Sequence, residues 1–109
     1  MAFTEGSNNG VLNSTTAVTL VAGPASGQRI VKSITVQQKD TAAVTLTLLY
    51  NDNGTPRQIG KWLLNANDTL LYNDVLVLDA ATRSVQAVLA AAVATNQPEF
   101  VAHYGDATT

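Results

Sequence analysis

At 109 residues the chain has room for one domain and one core. Its 46% hydrophobic content excludes disorder as the default for the middle of the chain, while only 13% of residues are charged, about half the usual share of soluble domains. A net charge of −2 with six scattered basic residues excludes a nucleic-acid-binding patch, and the lack of cysteine removes disulfides, thiolate nucleophiles and cysteine zinc sites.

Residues 1–16 are rich in Gly, Asn, Ser and Thr, with Phe3, Val11 and Leu12 as isolated apolar points. They read as an N-terminal arm, loosely held or ordered by a neighbour. No basic stretch followed by an apolar run opens the chain, so no secretory signal is expected. No apolar run is long enough to span a bilayer, so no membrane is expected as a partner. The expectation is a soluble product of a cytoplasm.

Residues 16–21 form the first strand pattern, and residues 22–27, Ala-Gly-Pro-Ala-Ser-Gly, form a turn. Residues 28–38 are the second strand, with Ile30, Ile34 and Val36 on one face and Val31, Ser33 and Thr35 on the other. Lys32 then falls on the apolar face, which suggests an edge strand whose inward charge discourages further pairing. Residues 42–51 are the third strand, with Val44, Leu46, Leu48 and Tyr50 in phase. Asn53-Gly54 suits the positive φ values of a tight hairpin, and residues 58–64 return as the fourth strand. Pro56 sits just before it, where a proline is tolerated.

After a turn at 65–68, residues 69–72 and 74–78 read as two short strands. Residues 83–90 follow, and 99–104 form the last strand before a tail at 106–109. Val85, Val88, Leu89, Ala92 and Val93 also fit one face of a helix. The strand is preferred, because every flanking segment is β and Arg83-Ser84 caps a helix poorly. The sum is an all-β chain: a single small antiparallel β-sandwich or jelly roll of about eight strands over 17–105, with an extended N-terminal arm.

Between the strands there is little chemistry. His103 is the one histidine and falls out of phase with Phe100, Ala102 and Tyr104, so it faces outward without a catalytic motif around it. The acidic residues stand in turns, where a short carboxylate hydrogen-bonds its own backbone. Asn51-Asp52-Asn53-Gly54 lacks the register and closing Glu of a calcium loop. Gly23 to Gly27 lacks the Lys of a phosphate loop. Asn13-Ser14-Thr15 matches a glycosylation pattern that has no meaning without secretion. No catalytic, cofactor or metal residue is expected, and the chain is not expected to be an enzyme. The candidate interface residues are Phe3, Val11, Leu12 and Trp62. Trp62 is out of register with Ile59, Lys61 and Leu63, and exposed aromatics anchor interfaces. Trp62 with Arg57 and Asp52 is the one hint of a carbohydrate site.

The run from Leu20 through Gly23-Pro24-Ala25-Ser26-Gly27 to Val36 resembles a pattern of small structural proteins of tailed bacteriophages. The later cadence from Leu63 to Tyr72, followed by Val75-Leu76-Val77-Leu78-Asp79-Ala80, does so too. The resemblance spans roughly residues 18–104 and marks fold rather than a site. It implies a virion component without enzymatic activity: a capsid decoration (cementing) protein, or a neck or tail connector or fibre-attachment module. It further implies self-association, a trimer being usual at threefold shell positions, and the major capsid protein or other virion proteins as partners.

Overall fold

Where β-branched and aromatic residues carry a period of two, alternate side chains can be buried on one face, and this is what holds the strands here. The computed structural model describes the backbone of residues 2–12 and 15–108 and the side chains of 4–12 and 15–107. In chain order the strands are β1 (Ala2–Val11), β2 (Val18–Ala22), β3 (Gln28–Gln37), β4 (Val44–Asp52), β5 (Thr55–Leu64), β6 (Thr69–Tyr72), β7 (Leu76–Leu78), β8 (Arg83–Leu89) and β9 (Glu99–Thr108).

They form two antiparallel sheets, one ordered β1-β9-β3-β6 with β7 also on β3, the other β2-β8-β4-β5. β6 and β7 pair with successive stretches of β3 and act as one interrupted strand. Counted so, the chain passes from sheet to sheet at every step except the β4–β5 hairpin, which is the winding of an eight-stranded jelly roll. The inner faces meet in one core. β3 and β9 supply Val31, Ile34, Val36, Phe100 and Ala102; β4 and β8 supply Val44, Leu46, Leu48, Val85, Ala87 and Leu89.

The β4–β5 turn forms where the dipeptide places it. Asn53 and Gly54 both have positive φ, 54° and 95°, matching the right-handed twist of the strands on either side. Of the stretch from Val85 to Val93 that also fits a helix, the part up to Leu89 belongs to strand β8 (Arg83–Leu89) between β2 and β4, and residues 90–93 are in no strand. The alternation of β8 buries Val85, Ala87 and Leu89.

Three readings of the sequence are corrected. β3 is central, not an edge, and its register with β9 shifts between Val31 and Ser33. The bulge turns Lys32 out to Glu5, their charged atoms 2.7 Å apart. It also changes the phase, so Val31 joins Ile34 and Val36 inside. Second, the segment read as an arm carries β1, paired with β9 from Ala2↔Thr108 to Val11↔Glu99. Asn13 and Ser14, within that segment and the glycosylation pattern, lie outside the described residues. Third, the segment read as a tail from 106 belongs to β9, which runs to Thr108.

Candidate interaction surface

β1 contains Gly6, Asn8, Asn9 and Gly10, residues depleted in strands. Its extended shape comes from β9, and the contact is made by rings. A Cβ on Gly6 would lie 2.7 Å from the Tyr104 ring, and one on Gly10 would lie 3.1 Å from Phe100. The aromatic rings of β9 thus cover the bare backbone of β1. The Asn8 side-chain amide crosses to the other sheet and donates to the Leu20 carbonyl at 2.8 Å. Leu12 ends the strand, its N–H donating to the Pro98 carbonyl at 2.8 Å.

The outer face of this sheet collects exposed apolar side chains. Leu71 lies opposite Thr35, Thr35 opposite Val101, and Val101 opposite Asn9, one row across four strands. Leu71 is 60% exposed and Val101 42%. Val11 and Val77 stand on the same face, and Val75 just before β7 is also exposed. Leu71 and Val101 stand out of phase with their inward-facing neighbours, a signal already present in the sequence.

The charged groups are mostly tied to one another. The Arg29 guanidinium grips Asp106 with two bonds of 2.7 and 2.9 Å, donates to the Ala22 carbonyl at 2.8 Å, and lies 4.2 Å over the Tyr104 ring. Its hydrogen bonds hold the Asp106 carboxyl below its ordinary range. Lys39 pairs with Glu99 at 3.3 Å. Arg83 pairs with Asp52 at 3.0 Å and with Asp79. The Asp52 carboxylate of the candidate calcium turn is therefore taken, and the Asn51 side chain accepts from the Gly54 N–H.

Asp40 does more than serve its own turn. Its carboxylate accepts backbone N–H groups from Thr41, Ala94, Thr95 and Asn96. These bonds, led by the one from Ala94, lower its pKa from the ordinary value. Among the described residues no group of three His, Cys, Asp or Glu side chains converges. A depression of about 210 Å³ lies beside Asn9, Gly10, Glu99, Phe100 and Val101, smaller than a typical small-molecule site.

Of the sequence-derived interface residues, Val11, Leu12 and Trp62 do not converge on one patch. Val11 is 41% exposed at the end of β1, but Leu12 next to it is 1% exposed and belongs to the core. Phe3 pairs by backbone with Ala107, and its side chain lies outside the described residues. Trp62 faces inward and packs edge-on against Tyr72, ring centroids 6.2 Å apart. Its indole fills the space that a side chain at Gly60 would need. Trp62 therefore forms no exposed platform with Arg57 and Asp52. His103 stands exposed on the outer face between Ser7 and Ser33.

The chain matches no protein-family model and no curated protein sequence. It is similar in fold to a subunit from "Bacillus endospore appendages form a novel family of disulfide-linked pili", with 13% identity, TM-score 0.56, and coverage of 99% of this chain and 88% of that one. It is also similar to a chain from "The crystal structure of Drosophila NLP-core provides insight into pentamer formation and histone binding", with 11% identity, TM-score 0.54, and coverage of 96% and 99%. A cyanophage Pam1 capsid chain overlaps at 19% identity and TM-score 0.46, covering 99% of this chain and 84% of that one. At these identities the likeness is one of fold.

Proposed function

We propose that this chain is a non-enzymatic structural subunit of a tailed-phage virion, a capsid decoration protein that associates with itself and with the shell. The observation that carries the reading is the set of exposed apolar side chains on the outer face of one sheet, with Leu71 and Val101 on either side of Thr35. A face of that kind suits burial against protein. The only histidine is exposed and the ionic groups are largely paired with one another, which supports a mechanical rather than a catalytic role. Contacts added to an assembled shell stabilise it by mass action.

The test is to mix the purified chain with shells that lack it and image the particles. Groups of three on the shell, with raised resistance of the particle to heat, support decoration. A chain that binds no shell overturns it. The fold likeness to a pilus subunit favours a second reading, a neck, tail or fibre module, and rings of six or twelve at one vertex would select it.

A further inference from the structure

We infer that the outer edge of β1 is a self-pairing surface: two copies of this chain join β1 to β1 antiparallel about a two-fold axis, making one continuous sheet across both molecules. The inference stands on the sheet edges alone and does not depend on the virion reading.

An exposed strand edge is a template for another strand, and proteins blunt such edges with prolines, lysines, bulges or short strands. Among the described residues the two sheets have four edges, and three of them carry these devices. β5 has Pro56, Arg57 and Lys61, and its register with β4 shifts at Leu48/Leu49. β2 spans Val18–Ala22, with a register shift between Thr19 and Val21, and Asn8 takes the Leu20 carbonyl. β6 and β7 are short and interrupted. β1 alone is ten residues long in unbroken register, with no proline and no basic residue.

The phase of its hydrogen bonds fits a second copy. The Leu12 N–H points to Pro98 on the β9 side. Antiparallel alternation then directs the N–H and C=O of the even positions to β9 and those of Phe3, Glu5, Ser7, Asn9 and Val11 away from it. A two-fold axis at Ser7 sets Ser7 opposite Ser7, Glu5 opposite Asn9, and Phe3 opposite Val11 of the second copy. Every outward group then meets its complement, giving on the order of ten N–H···O bonds. The same register keeps matching faces on the same side of the joined sheet. Glu5, the one charged residue of β1, meets Asn9 rather than its own copy, so no like charges are opposed.

Sedimentation of the full chain over a range of concentrations tests this, together with three variants. The native chain is expected to dimerise. Ser7→Pro removes only an outward N–H and is expected to be monomeric with an unchanged circular dichroism spectrum; Asn9→Pro replaces it if that variant fails to fold. In a chain without cysteine, Ser7→Cys is expected to form a covalent dimer on mild oxidation, since paired Cα atoms about 5.5 Å apart can be bridged. Asn9→Cys, whose copies would stand roughly 13 Å apart along the strands, is expected not to. A native chain that stays monomeric, a folded proline variant that still dimerises, or cross-linking at Asn9 as ready as at Ser7 would each overturn the proposal.

Discussion

Val11 and Leu12 are adjacent, similar in chemistry and opposite in fate: 41% and 1% exposed. One step along an extended chain reverses the direction of a side chain, so position relative to the sheet decides which residue is core. Leu12→Ala is expected to cost about 2–5 kcal/mol of stability through the cavity it leaves. Val11→Ala is expected to change stability by no more than about 0.5 kcal/mol. Urea unfolding of the two variants reads the difference, and equal effects would contradict the placement of Leu12. Lys32 makes the same point at a bulge, where one extra residue turns a charge away from the core.

At the scale of elements, the segment between β8 and β9 shows how an irregular stretch is held. Residues 90–98 form no strand. Asp40 anchors them by accepting the N–H groups of Ala94 at 2.7 Å and Thr95 at 2.8 Å. The neighbouring Gln38 is fully buried and accepts the Asp40 N–H at 3.1 Å. Asp40→Asn keeps the shape and removes the charge that attracts these amides. Hydrogen exchange is expected to show lost protection at Ala94, Thr95 and Asn96, with the β4–β5 ladder unchanged. Unaltered exchange at those three amides would show that the segment is held by something else.

Over the whole molecule, the pH dependence follows from carboxylates with lowered pKa values. Glu5 is lowered from 4.5, chiefly by its hydrogen bond from Lys32. Asp40 is lowered from 3.8 by backbone N–H groups, and Asp106 from 3.8 by Arg29. A group whose folded pKa is depressed contributes stability above its unfolded pKa and loses it as pH falls through the folded value. The contribution of these three groups to the thermal midpoint is therefore expected to be full and constant above about pH 5 and to fall away as pH drops below about 4. A midpoint that held or rose in that acid range would rule out the contribution assigned to them.

The sequence by itself determined the class of this protein, because period-two alternation and turn chemistry are local. The Asn53-Gly54 hairpin and the outward His103 are legible one short window at a time, and the β8 strand once its β neighbours are counted. The strand status of residues 2–11 was not, because Gly6 and Gly10 look like loop until the rings of Tyr104 and Phe100 lie over them. That contact joins residues nearly a hundred positions apart, and no local pattern encodes it. The Val31 bulge, the reach of Asp40 and the bare edge of β1 share this origin. Each depends on which strands become neighbours, and only the winding of the two sheets decided that.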